Sequence, residues 1–337
     1  MINKKVIIIC MLAVCFMVSP LFSAGDKPIT RTFPAKNTLK IDTVSANAQV
    51  LAGKEGEIRV QVPADLKEEF GESAISQEGD VLAIREKVSR FSIGNDSTLE
   101  IWVPKGTIII FNSASGNFST KGIQDNITVK TASGDLEATD CKGILEIKSV
   151  SGDVAAANCS GEIGIGSVSG DLKAEKLTGT ITVKTVSGDI EAGNLDGAIT
   201  LKVVSGDIVL KKAKGAIKAA SASGDLKVVD VHLTGESDFK TASGDVSVKL
   251  AETAAFNLSL ASASGDVLLD YNGHPVKGYV EFSALAERGE IDSPFKFDKE
   301  EEIYKHGKKY LVKSFKIEGE TPKIEISTAS GKAALEK

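Results

Sequence analysis

The sequence predicts an all-β protein wound as a parallel β-helix, a solenoid with about 18 residues per rung. Three observations carry that expectation. A short motif recurs at a constant interval, apolar residues fall at fixed places between its copies, and helical spacing is nowhere sustained. The motif runs Ser or Thr, Ala or Val, Ser, Gly, Asp, then an aliphatic residue. Its glycines stand at Gly116, Gly134, Gly152, Gly170, Gly188, Gly206 and Gly224, six successive intervals of 18. The spacing then loosens: Gly244 and Gly265 follow after 20 and 21 residues, Gly289 heads a degenerate copy, and Gly331 closes the series in Thr328-Ala329-Ser330-Gly331.

Counting each unit from its glycine as position 1, position 3 is large and apolar (Leu136, Val154, Leu172, Ile190) and position 5 small or apolar (Ala138, Ala156, Ala174, Ala192), one face of a first strand. Positions 12 and 14 repeat the alternation (Leu145 and Ile147, Ile163 and Ile165, Ile181 and Val183), and position 15 carries a lysine column at Lys130, Lys148, Lys184, Lys202 and Lys240. Between the strands, an apolar corner at position 8 (Cys141, Cys159, Leu177, Leu195) precedes a glycine at position 10 (Gly143, Gly161, Gly179, Gly197), where a turn is expected. One such unit buries too few side chains to offset the entropy of ordering its backbone, so the units must stack, with like residues forming columns. A coil of three hexapeptides would also give 18 residues, but it needs apolar residues at positions 3, 9 and 15. Position 9 holds Lys142, Ser160 and Thr178, so the right-handed crossover is expected instead.

The chain opens with a secretory signature over residues 1–24: Lys4 and Lys5, an apolar run from Val6 to Val18, and Phe22-Ser23-Ala24 before Gly25. That run is too short to span a bilayer, and Val14 is too bulky for lipidation of Cys15. Removal of the leader leaves 38 basic against 46 acidic residues, a net charge of −8, so neither nucleic acid nor an anionic surface is the expected partner. No stable membrane span is expected after cleavage, and the location is periplasmic, outer-surface or secreted. The 337 residues are 42% hydrophobic with 32 Gly and only 5% aromatic, which excludes both disorder and collagen.

Residues 25–112 read as divergent opening rungs. Thr43-Val44-Ser45-Ala46-Asn47 echoes the motif with Ala for Gly, and Ile58–Val62, Val81–Ile84, Leu99–Val103 and Thr107–Phe111 alternate as strands. Residues 113–270 form the regular repeat. Residues 271–337 close it, with eight of the 18 aromatics between Tyr271 and Phe315 and charged runs at Asp298–Glu302 and Lys305–Lys309; these are expected to cap the coil, a partner-binding patch being the alternative. The motif repeats after a strand ending in Val103-Pro104, the leader, and the closing Ile324-Glu325-Ile326-Ser327-Thr328-Ala329-Ser330-Gly331 together resemble the bacterial DUF4097 family of adhesin-like β-strand repeat proteins. The resemblance implies an envelope or surface protein and supplies no catalytic residue.

Candidate chemistry is sparse. The aspartate column (Asp135, Asp153, Asp171, Asp189, Asp207, Asp225, Asp245, Asp266) invites calcium, but one carboxylate per rung falls short of the six to eight oxygens calcium takes, and capping of a solvated turn is the preferred reading. The hydroxyls at positions 16 and 18 (Thr131 and Ser133, Ser149 and Ser151, Thr185 and Ser187) are expected inside, leaving Val150, Val168, Val186 and Val204 outside; the alternative is a solvent-facing Thr-x-Ser array of the ice-binding kind. Cys141 and Cys159 occupy the same position in successive rungs, within disulfide range, and are either bonded or paired as buried thiols. His232, His274 and His306 lack metal-ligand spacing, and no nucleophile elbow or phosphate loop occurs. Between Ser119 and Asp238 there is neither an aromatic residue nor an arginine, a poor platform for sugars. No catalytic, cofactor-binding or metal-binding residue is therefore assigned. The expected function is a noncatalytic exported envelope scaffold or adhesin-like module whose partner is an envelope protein or polysaccharide, the alternatives being a polysaccharide lyase or hydrolase and a calcium-binding surface repeat.

Overall fold

The structure is a computed structural model; it describes residues 27–87, 97–305 and 307–337. The proposed leader and Cys15 lie outside the described residues, as does His306. Strands make up 66% of the described residues and helix 2%, and the strands join into one large, mostly parallel sheet. In the regular region each unit contributes a long strand, such as Lys142–Ser151, and a short one, such as Val154–Ala157. The long strands pair with long strands and the short with short, except that Leu226–Leu233 runs on from the short ladder to pair its His232 and Leu233 with Lys214 and Gly215 of a long strand. Leu145 partners Ile163, which partners Ile181, which partners Ile199; Leu136, Val154, Leu172 and Ile190 form the matching column on the other ladder.

Parallel pairing in this register lets every rung cover its neighbour's apolar side chains, and positions 3, 5, 8, 12 and 14 are buried throughout, from Leu136 to Val248. Where the glycine spacing loosens, the columns hold. Ala219 still partners Phe239, and Phe239 partners Leu260; the extra residues are absorbed between strands, with a bulge at Val229–Val231. The turn, however, lies elsewhere than expected. Position 7 takes the left-handed conformation in every regular rung (Asp140, Asn158, Lys176, Asn194, Lys212, Asp230; φ 53–58°), whereas Gly143, Gly161, Gly179 and Gly197 sit inside the long strands. Asp and Asn tolerate that conformation best, and the position-10 glycines serve both a positive φ within the strand (+126° at Gly161) and close approach: a Cβ on Gly161 would lie 2.1 Å from the Gly143 carbonyl oxygen.

At both ends axial order departs from chain order. The strands Thr38–Thr43 and Asn47–Ala52 lie between Val81–Arg85 with Thr98–Val103 on one side and Ile108–Ser113 with Phe118–Lys121 on the other. Likewise Lys323–Thr328 and Gly331–Glu336 lie between Leu258–Ser264 with Val267–Asp270 and Gly278–Leu285 with Gly289–Asp292. The motif echoes found in the sequence occupy the glycine column, with Ala46 beneath Gly116 and Gly331 above Gly265. Outside these rungs the pairing turns antiparallel, so not all flanking segments are further rungs. Ile29–Pro34 and Glu57–Val62 close one end, and Gly278–Leu285, Lys308–Ile317 and Lys299–Lys305 form an antiparallel ribbon at the other. Buried Phe70 and Leu66 belong to the first end; Phe282, Phe295, Phe297 and Phe315 cluster at 5.1–6.3 Å between ring centres at the second. Tyr304, on the edge strand Lys299–Lys305, is 75% exposed.

Candidate functional site

The motif builds one corner of the coil. The position-16 hydroxyl turns back on its own chain: Thr131 Oγ1 donates to the Ser133 carbonyl at 2.8 Å, Ser149 Oγ to that of Ser151 at 3.0 Å, and Thr185 Oγ1 to that of Ser187 at 3.2 Å. These bonds satisfy a buried hydroxyl and bend the chain, so the next residues face solvent. The expectation for the hydroxyl pair is thereby half corrected. Position 16 is buried, but Ser133, Ser151 and Ser187 are exposed, because the corner breaks strand parity after position 16.

The aspartate at position 2 then binds across rungs. Asp135 Oδ1 accepts the Asp153 backbone N–H at 3.0 Å, Asp153 Oδ1 that of Asp171 at 2.9 Å, and Asp171 Oδ1 that of Asp189 at 2.9 Å. The ladder continues to Asp266, whose Oδ1 accepts the Lys332 N–H at 2.8 Å. It begins with amides, since Asn47 Oδ1 receives the Asn117 N–H and Asn117 Oδ1 that of Asp135. Each rung thus caps the next. Among the described residues no group of three or more His, Cys, Asp or Glu is arranged to hold a metal ion.

Beside this ladder runs a groove of about 800 Å³, from Asn47 and Thr98 to Asp207 and Val209. Its walls are the aspartate column and the position-4 column, where Glu137, Ala155, Lys173 and Glu191 follow one another rung by rung. Carboxylates outnumber cations along its length, so it presents a row of negative charge at a regular pitch.

Across the corner lies a second, shallower groove, lined by Lys148, Lys184 and Lys202 at position 15 and by Val168, Val186 and Val204 at position 17. The valines face out as expected: Val150 is 52% exposed, Val168 46%, Val186 45% and Val204 52%. Ala132, Ala222, Ala242 and Ala263 continue the same exposed column. Lys148 pairs with Glu146 at 2.5 Å and Lys240 with Asp238 at 2.8 Å, while Lys184 and Lys202 make no ion pair among the described residues. The sequence singled out both columns but did not join them into one face.

Cys141 and Cys159 are free and buried in successive rungs. Each thiol donates to a carbonyl two residues back, Thr139 and Ala157, at 3.3 Å. The contact with Cys159, then burial, pushes the Cys141 thiol well above its ordinary range. Of the histidines, His232 pairs with Glu252 at 3.0 Å on the surface, remote from His274 in sequence and sharing no cluster with it.

A family model for Toastrack DUF4097 matches residues 36–214 and again 197–288, most of the described solenoid. The chain belongs to the Toastrack DUF4097 family. No curated protein matches the sequence significantly. Among solved structures, this Toastrack chain is similar to a protein of Parabacteroides distasonis provisionally named an adhesin, at 15% identity over 74% of this chain and 91% of that one, with a TM-score of 0.36. It is also similar to a provisional adhesin of Bacteroides fragilis (12% identity, 92% and 98% coverage, TM-score 0.28) and a provisional cell adhesion protein of Clostridium sporogenes (9% identity, 92% and 99%, TM-score 0.18). At these scores the likenesses carry no argument about function.

Proposed function

We propose that this Toastrack protein is a noncatalytic, exported scaffold of the cell envelope that binds an envelope protein or polysaccharide along its length, wound as a right-handed coil of 18-residue rungs. The observation that supports this reading best is the acidic groove, which repeats one carboxylate per rung rather than converging different groups on one point. Reaction chemistry needs unlike groups brought together within hydrogen-bond reach of one atom. A periodic row of like groups instead suits an extended partner, many weak contacts adding along one line. The secretory signature agrees with such a role. Crosslinking pull-down from native envelope tests it. The reading expects a partner to be captured by the wild-type protein and lost with Glu137→Lys/Glu191→Lys, whose exposed positions leave the fold intact. Product release in a polysaccharide screen, or capture indifferent to those charge reversals, would overturn it.

A further inference from the structure

Position 17 holds Val or Ala in every rung, from Val44 through Val150 and Val204 to Ala329, an apolar line that no charged residue interrupts. Four successive valines in its middle are about half exposed. Exposed valines scattered singly would mean little, but a straight, continuous line of them is a surface awaiting a cover.

We infer that this line is a homodimer interface, in which two copies of the chain pack side by side with their solenoid axes parallel. Three features select a second copy as the occupant. The first is pitch. The line repeats at the rung spacing, ~4.8 Å, and a second copy offers the same period, so that each valine of one meets the same valine of the other along the whole length. The second is area. About 50 Å of solenoid, ~10 Å wide from position 15 to position 18, gives ~500 Å² per copy and ~1,000 Å² in total, which reaches the lower bound for a specific interface.

Charge is the third feature, and it also sets the orientation. The lysine column lies on one flank of the valines; the exposed serines of position 18 and the aspartate ladder lie on the other. A two-fold axis parallel to the solenoid exchanges flanks, so Lys184 and Lys202 of each copy face the serine and aspartate flank of its partner. A two-fold axis perpendicular to the solenoid would set lysine against lysine. The parallel arrangement therefore supplies the partners that Lys184 and Lys202 lack within their own chain, and the antiparallel one is disfavoured by like charge.

Sedimentation velocity of the purified protein between 1 and 100 µM tests the inference. A dimer is expected for the wild type, and a monomer for Val168→Asp/Val186→Asp, with the dissociation constant raised at least ~100-fold because two new charges from each copy, four in all, enter the contact. An unchanged thermal melt of the variant shows that the monomer is folded. Orientation is read from Val150→Cys and Ala222→Cys, each made separately: the parallel dimer links either variant to itself on oxidation, whereas an antiparallel one, its dyad at Val186 in the middle of the line, links Val150→Cys to Ala222→Cys only when the two are mixed. A wild-type monomer at 100 µM, a dimer indifferent to the aspartates, or mixed-only linkage overturns the inference. So does a monomer that co-sediments with phosphatidylglycerol vesicles through the same valines. Envelope capture is measured separately through Glu137 and Glu191, so failure of the dimer leaves that result readable on its own.

Discussion

Gly188→Ala probes a corner where the rungs approach closely. Gly188 has φ +130°, and a Cβ built on it would lie 2.3 Å from the Gly170 carbonyl oxygen and 2.7 Å from its carbon, distances that real Cβ atoms do not show. Both the contacting atoms belong to backbone held in the ladder, so no side chain can swing aside. The conformation costs an alanine roughly 1–3 kcal/mol, and forcing the rungs apart roughly another 1–3 kcal/mol. A loss of about 2–6 kcal/mol is therefore expected. Gly164→Ala is the matched control: it lies on the outer face of a long strand with nothing nearer than the Leu145 oxygen at 4.0 Å, and a change within ~0.5 kcal/mol is expected. Urea denaturation followed by far-ultraviolet circular dichroism compares the two. Equal midpoints for the two variants would refute the reasoning, because they would mean that glycine is retained at the corner for reasons other than backbone approach.

Three further outcomes follow from the same geometry. Asp171→Ala strips the Asp189 N–H of its acceptor and is expected to cost about 1 kcal/mol, whereas Asp171→Asn keeps a side-chain carbonyl there, as Asn47 and Asn117 do, and should cost less than ~0.5 kcal/mol; chemical denaturation distinguishes them. Tyr271 is fully buried, its hydroxyl lacks a hydrogen-bond partner and burial pushes its pKa up, so Tyr271→Phe should stabilise the protein by about 1 kcal/mol in a melt, and a loss of stability would show that the hydroxyl is bonded. Cys141 and Cys159 should resist iodoacetamide at pH 8 in the folded protein and react on denaturation without reductant; absence of reactive thiols after denaturation would establish a disulfide.

The core was legible because burial repeats. Leu136, Ala138, Leu145 and Ile147 and their equivalents alternate so regularly that register follows from the 18-residue interval, and the structure pairs them accordingly. The corner was harder. Glycine at position 10 drew the turn assignment, but glycine answers to positive φ and to close approach wherever they arise, and here it meets both inside a strand rather than at a turn. The real turn at position 7 was masked by Lys176 and Lys212, which occupy the left-handed conformation alongside Asp140 and Asn158 and carry no turn signal of their own. Strand parity placed the position-16 hydroxyls correctly and those of position 18 wrongly, since parity fails wherever a side chain bonds its own backbone two residues on. The cross-rung role of Asp171 and its equivalents had a partial signal in the Asn at position 47, an amide standing where later rungs carry acid. The interleaving at the two ends had none, because motif echoes at Thr43–Asn47 and Thr328–Gly331 identify rungs but not their axial order.

The account depends on lysines eighteen residues apart being neighbours along one axis: Lys130 partners Lys148, and Lys184 partners Lys202. Spin labels at Lys130→Cys with Lys202→Cys, four rungs apart, and at Lys130→Cys with Lys240→Cys, six rungs apart, read that axis directly by pulsed dipolar spectroscopy. At ~4.8 Å per rung the mean backbone separations should be ~19 Å and ~29 Å, a constant increment per rung whatever the number of intervening residues. A second distance equal to or shorter than the first, as antiparallel sandwich pairing would give, would contradict it.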